Sequence, residues 1–307
     1  MPTNKKFYFS KKSPVQAEEN LSANKLRRVQ RAILETLSYR AAFDYPLSFY
    51  QLANFLLTRK RVDFISFAKA VESLIKLHKI SVKDGKYYLY KAKTVDWDRR
   101  KSISLKFVEK AKKVTEMLAK IPWIQFVGLT GSIAALNADN DSDIDMIIIT
   151  KRDRVWLTRG FLFLILKIMG ELRTEESSKQ KICPNIFIDE SNLAWPKNKR
   201  NVYTAHEVLM VRPLFDRDNT YLKFLKANIW IKGYFGNLEC DLEHTRTSGL
   251  ERNVLFNLVE KIAMFLQKKY MGGKITNEIT KPNFIHFNKT DSSTKILAKF
   301  NESKGKL

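Results

Sequence analysis

The sequence predicts a multi-domain chain combining α+β and α/β organisation: a small helical unit closed by a hairpin, a unit around a small mixed sheet, and a helical C-terminal region. Three observations predict it. Residues 25–92 read as three amphipathic helical segments followed by two short strand-like runs. From Trp123, apolar strand-like runs alternate with helix-like ones, the pattern of an α/β sheet. From Asn201 onward the apolar spacing is helical. A length of 307 residues agrees, at roughly 150 residues per domain.

In chain order, residues 1–22 are polar and read as a flexible tail. Between Lys25 and Arg40, Leu26, Val29, Ile33, Leu34 and Leu37 recur at helical spacing. Ser48 and Gln51 form a capping box for a helix over 49–57. Asp63 caps a third helix, with Phe64, Phe67, Ala68, Val71, Leu74, Ile75 and Leu77 expected on its inner face. Asp84-Gly85 then joins two strand-like runs as a two-residue hairpin turn. Three helices and a hairpin in this order resemble a winged helix-turn-helix, which is expected over 23–95.

A Lys-rich helix is predicted over 105–120, and Pro122 prevents its continuation. Strands are predicted over 123–129, 144–149 and 182–188, with a short helix over 131–136. Thr150 or Asp153 is expected to cap an apolar helix over 154–169, and 171–181 reads as a polar loop. Helices follow over 202–211, 221–230 and 253–270, the last stopped by Met271-Gly272-Gly273. The expected domains are therefore 23–95, 100–195 and a helical region 196–272, followed by a basic tail over 273–307.

Composition narrows the function classes. The chain carries a formal net charge of +23, which favours polyanionic partners such as nucleic acid or nucleotides. Its longest fully apolar stretch, Phe161 to Leu166, is far short of the roughly 20 residues of a membrane span. The first dozen residues contain no signal-peptide core, so a cytoplasmic protein without membrane contact is expected. Cys183 and Cys240 are too few for a disulfide framework, and Cys183 reads as a buried small hydrophobe. None of the four histidines has metal-ligand spacing with another His or Cys.

The chemistry-bearing stretch runs from Phe126 to Thr150. A strand ends at Thr130, and Gly131-Ser132 opens a helix at once. Glycine lets the backbone turn tightly and approach a ligand. The free N–H groups of the helix start, with the Ser132 hydroxyl, suit a phosphate oxygen. Asp143 and Asp145 stand two apart at the head of the next strand, so their side chains point the same way. Paired carboxylates repel unless a cation lies between them, and such oxygen-rich pairs suit Mg²⁺ with substrate phosphates.

Gly131-Ser132, a ten-residue spacer over 133–142, and Asp143-Ile144-Asp145-Met146 resemble the signature of the DNA polymerase β-type nucleotidyltransferase superfamily. The Ser-Asp-Ile-Asp run at 142–145 is especially similar to its minimal members. The resemblance covers about 105–195. It implies a nucleotidyltransferase fold that moves a nucleoside monophosphate from a nucleoside triphosphate to an acceptor hydroxyl. It further implies Mg²⁺ or Mn²⁺ as cofactor, Asp143 and Asp145 as catalytic metal ligands, and Gly131 and Ser132 on the phosphates.

The third strand departs from the pattern. A third family carboxylate is expected there, yet the matching position reads as Asn185, whose amide carries no charge. Asp189 shares its face by alternation but lies about 13 Å further along the strand. Asp189 is the remaining metal-ligand candidate, with Glu190 beside it. Three outcomes stay open: a two-carboxylate enzyme, an enzyme using Asp189 or Glu190, or a domain that binds nucleotide with weak turnover.

The basic run Arg59-Lys60-Arg61 with Lys69, Lys76, Lys79, Lys83 and Lys86 suits nucleic-acid phosphates or a solvated face. Two other readings follow: a winged-helix regulator that senses nucleotide, and a toxin–antitoxin-type transferase acting on RNA or protein.

Overall fold

The computed structural model describes residues 14–93, 95–173, 179–238, 254–272, 279–287 and 292–305. They are α+β and divide into two compact units. One holds the described residues up to Lys93 with 235–238 and those after 301, and the other holds the rest.

The first unit runs α1 (Pro14–Ala41), β1 (Leu47–Ser48), α2 (Phe49–Asn54), α3 (Phe64–Lys76), β2 (Ile80–Lys83) and β3 (Lys86–Leu89). The expected N-terminal tail is shorter than its range, because Pro14 already opens α1. Residues 1–13 of that tail lie outside the described residues. Ser48 and Gln51 form the expected capping box, and Asp63 accepts from the Ser66 N–H to cap α3. Asp84 and Gly85 both take positive φ, as a two-residue hairpin turn requires. The strands pair antiparallel in the order β1-β3-β2.

Val29, Ile33 and Leu37 of α1 pack with Leu47, Leu52, Phe67, Val71 and Leu74 to form this unit's core. On α3 the buried set is Phe67, Ala70, Val71 and Leu74, narrower than the expected face. Phe64, Ile75 and Leu77 are exposed: Phe64 is the first residue of α3 and Leu77 its C-cap, at the two ends of the buried stripe, and Ile75 lies off it. Asn237 ties its short segment to this core, accepting from the Val62 N–H at 2.8 Å and donating to the Ala53 carbonyl at 2.9 Å.

The second unit opens with α4 (Trp97–Leu118), β4 (Ile124–Leu129), α5 (Gly131–Ala134), β5 (Ile144–Thr150), α6 (Val155–Ile168) and β6 (Ile182–Asp189). It continues with α7 (Val202–Leu209), β7 (Arg212–Asp216), α8 (Thr220–Ala227), α9 (Val254–Met271), β8 (Ile279–Lys281), β9 (Phe284–His286) and α10 (Ser292–Lys304), whose residues after 301 belong to the first unit. Its sheet has six strands in the order β7-β4-β5-β6-β9-β8. Only β5 and β6 pair parallel, and every other pair is antiparallel. The central strands are apolar on both faces: Ile147, Ile148, Ile149, Phe187 and Ile188 are all fully buried.

Three expectations are corrected here. The region 196–272 is not a separate helical domain, since Arg212–Asp216 forms an edge strand on β4. Pro213 fits only such an edge or a bulge, and the register shifts beside it. The segment 273–307 is not merely a tail: β9 pairs with β6, and α10 follows. Three-residue strands carry too few apolar residues to show a period.

The third correction concerns the start of α6. Neither Thr150 nor Asp153 caps it, and its N-cap residue Arg154 makes no side-chain cap. Glu260 of α9 instead accepts from the Trp156 N–H at 2.7 Å and the Leu157 N–H at 2.8 Å. Burial raises the Glu260 pKa, against the pull of these two donors. Among the described residues no helix is long and apolar enough to cross a membrane.

Candidate metal and nucleotide centre

The site forms where β4 and β5 run side by side. Leu129 pairs with Met146, and the Thr130 N–H then donates to the Asp145 carbonyl at 3.0 Å. This last bond fixes the strand-to-helix corner against the head of β5. Gly131 follows in the left-handed region, φ +63°. A Cβ there would stand 2.8 Å from Asp145 Oδ2, so glycine is required both by the turn and by the carboxylate lying against it. Ser132 is the next residue and is half-buried.

Asp143 immediately precedes β5, and Asp145 is its second residue. In the parallel register Asp145 stands opposite Cys183. Ligand atoms of Asp143, Asp145 and Cys183 all lie within 4.8 Å of one another. Asp143, Asp145 and Gly131 therefore converge as the sequence implies. Cys183 does not serve as a buried core hydrophobe: it is half-buried and belongs to this cluster.

Asn185 stands at a register shift, where Met146 faces Pro184 but Ile147 faces Ile186. The extra residue turns its side chain onto the site, and Asn185 Nδ2 donates to Asp145 Oδ1 at 2.9 Å. Its own Oδ1 is buried with no hydrogen-bond partner. An amide thus stands beside Asp145 on the third strand.

Asp189 is not part of this centre. It pairs with Thr150 at the opposite end of the same two strands, about 17 Å from the Asp145 level at 3.3 Å per residue. There it is fully buried and accepts from the Asp153 N–H, the Ser191 N–H and the Ser191 hydroxyl. Its oxygens close the loops after β5 and β6, so it is removed from the candidate ligands. Glu190 is at that end too, where it faces the Arg152 N–H at 3.4 Å.

Two residues that the sequence did not single out complete the site. Arg173 lies on the segment after α6 that runs beside the start of β6, its N–H donating to the Ile182 carbonyl at 3.2 Å. Its Nη1 lies 2.8 Å from Asp143 Oδ2 and 3.5 Å from Cys183 Sγ. Glu207 of α7 is near enough for its charge to act on Asp145. It is the one acid in an otherwise largely apolar helix, a signal visible in the sequence but without a sheet to place it. Arg173 carries no such signal, being one arginine in a polar loop.

The electrostatics follow from crowding. Burial drives the Asp145 pKa well above the usual carboxylate value, and Asp143 and Glu207 push it further. Burial raises Glu207 to about 7. Cys183 is pushed up to about 12, by burial and then by Asp145, so its thiol stays protonated and neutral. A divalent cation between these carboxylates would relieve their mutual repulsion, which adds to the effect of burial. No family model and no curated protein matches the chain.

Proposed function

We propose that this chain is a Mg²⁺- or Mn²⁺-dependent nucleotidyltransferase. It moves a nucleoside monophosphate from a nucleoside triphosphate to an acceptor hydroxyl. The hydroxyl oxygen bonds to the α-phosphorus, the bond to the β-phosphate bridge breaks, pyrophosphate leaves, and the hydroxyl proton passes to water. One observation carries the reading: the position of the missing Gly131 Cβ lies 2.8 Å from Asp145 Oδ2, so the glycine-serine corner and the aspartate pair share one place.

The donor set fits a hard divalent cation. Asp143 and Asp145 offer carboxylate oxygens, while the neutral Cys183 thiol is a poor ligand for Mg²⁺. When bound, the cation neutralises phosphate charge and polarises the reacting oxygens. Asp143 and Asp145 would hold it, Asn185 orients Asp145 through its amide, and Gly131 and Ser132 would meet the β- and γ-phosphates. This is a two-carboxylate centre with an amide on the third strand, in a protein of the cytoplasm, where triphosphates and Mg²⁺ are plentiful. The test is transfer of radiolabel from α-³²P nucleotides to cellular RNA, protein and small hydroxyl acceptors. Wild type is expected to transfer label only with divalent cation, and Asp143→Ala plus Asp145→Ala to lose transfer; equal labelling by both proteins would refute the reading.

The first unit supports a compatible second role. Its order α-β-α-α-β-β, with β1 beside β3, supports reading it as a winged helix-turn-helix. Arg59, Lys60, Arg61, Lys69, Lys79 and Lys83 are exposed on and around α3 and the hairpin. We read this surface as one that meets nucleic-acid phosphates. Binding to duplex DNA or RNA should then weaken steeply with salt and survive loss of both aspartates.

A further inference from the structure

We propose that Arg173 is a resident counter-ion of the centre: it holds Asp143 before a metal arrives and passes to the triphosphate when one does. The inference rests on the nucleotidyltransferase reading and deepens it. Three observations support it. Arg173 is placed by the backbone, since its N–H bonds to the Ile182 carbonyl while the Ile182 N–H bonds back to the Glu171 carbonyl at 2.9 Å. Its guanidinium lies 2.8 Å from Asp143 Oδ2, on the carboxylate meant for the cation. Its side chain keeps 46% of its exposure, so the head group can swing outward without leaving a buried gap.

A guanidinium and a divalent cation compete for the same carboxylate oxygens. Metal binding must therefore displace Arg173 from Asp143 or share that residue with it. The guanidinium is always charged and presents a planar fork of donors that matches phosphate oxygens. Once released beside Asp143, it faces the triphosphate that arrives with the metal. Arg173 thus opposes metal alone and favours metal with phosphate, which makes the two bind cooperatively. It is a substrate-contacting residue: its ion pair holds the centre together while empty and is exchanged for phosphate contacts when loaded.

The test uses Mn²⁺ on the full chain, with free Mn²⁺ followed by electron paramagnetic resonance. The phosphate probe is inorganic tripolyphosphate, which carries the phosphate chain without a base. Arg173→Gln is expected to bind Mn²⁺ alone about tenfold tighter than wild type, and tripolyphosphate at saturating Mn²⁺ about tenfold weaker. Arg173→Lys keeps the charge but not the fork, so it should hold wild-type Mn²⁺ affinity and lose only part of the phosphate affinity. Opposite signs for the two ligands are the signature, since a merely structural arginine would weaken both or neither. Unchanged or weaker Mn²⁺ binding by Arg173→Gln would overturn this assignment and leave nucleotide transfer standing. Wild-type protein that binds Mn²⁺ but no tripolyphosphate would overturn both.

Discussion

Strands β5 and β6 carry an acid near each end of one parallel pair, Asp145 half-buried and Asp189 fully buried, and the chain treats the two acids differently. Asp189, at the Thr150 end, has three donors on its carboxylate: the Asp153 N–H and both the N–H and hydroxyl of Ser191. Asp145, at the Gly131 end, has the Asn185 amide and the Cys183 thiol for company. Like charges on Asp143 and Glu207 press on it. Burial raises the pKa of both; at Asp189 the Ser191 and Asp153 donors oppose the rise ahead of the push from the Asp153 charge, while at Asp145 the charges of Asp143 and Glu207 add to it ahead of the opposing pull of Arg173 and Cys183. A carboxylate surrounded by backbone donors is a structural part. One set among other acids, with Arg173 offsetting part of their charge, is held at a stability cost.

The contrast is broken most directly by measuring metal and stability at both ends. Asp145→Asn is expected to lower Mn²⁺ affinity about 100-fold or more, since it removes a charged ligand, while Asp189→Asn leaves it unchanged. Mn²⁺ titration by electron paramagnetic resonance checks both. For stability the order reverses. Asp189→Ala strands several buried donors and should cost about 2–3 kcal/mol in urea denaturation. Asp145→Asn keeps the oxygen that Asn185 uses and removes a crowded charge, so at pH 8 it should gain roughly 1 kcal/mol. That gain should vanish below the ordinary carboxylate range, where wild-type Asp145 is neutral in both states. A loss of stability in Asp145→Asn would end the distinction.

Glu207 sharpens the comparison from α7. Burial raises its pKa from 4.5 to about 7, so across this window the folded protein holds a proton that the unfolded chain has released. Stability from this group is full below pH 4.5 and is lost as pH rises toward 7. Glu207→Gln should remove that fall, making the variant more stable than wild type above pH 7 by about 1–3 kcal/mol. The gain should disappear near pH 4. Thermal melts from pH 4 to 8 read the difference between the two proteins, in which Asp189 and Glu260 cancel, while Asp145, relieved of the Glu207 charge, adds to the gain of the variant at high pH. A constant offset at every pH would exclude the titration of Glu207 as its source.

Legibility in the sequence followed the range of the interactions. The capping box at Ser48, the Asp63 cap and the Asp84-Gly85 turn are satisfied within four residues of chain, and each stands where its residues imply. Asp143, Asp145 and Gly131 were legible for the same reason: strand alternation and one tight turn place them. What failed was long-range. The α6 cap comes from Glu260, and β7 and β9 join the sheet through pairings that no local period announces. Asp189 shares the face of Asn185 by alternation about 13 Å along the strand, and the register puts it opposite Thr150, away from Asp145. Cys183 read as a hydrophobe because its neighbours are apolar; its partners are carboxylates on another strand.

The smallest expected effect separates backbone strain from contact at the corner itself. Gly131 and Gly170 both take positive φ, +63° and +67°. At Gly170 an added methyl meets nothing within 4 Å, whereas at Gly131 it meets Asp145 Oδ2 at 2.8 Å. Gly170→Ala should therefore cost only the conformational term, about 1 kcal/mol. Gly131→Ala should cost that much and a further ~1 kcal/mol, because the carboxylate must turn away and strain its bond from Asn185. It should also weaken Mn²⁺ binding several-fold, which Gly170→Ala should not. In an Asp145→Ala background the carboxylate is gone, so the two glycine substitutions should cost the same. Urea denaturation of these single and double variants measures the coupling. Equal costs already in the wild-type background would mean that Asp145 does not rest against Gly131 in solution, and the shared place on which the transfer reading depends would be lost with it.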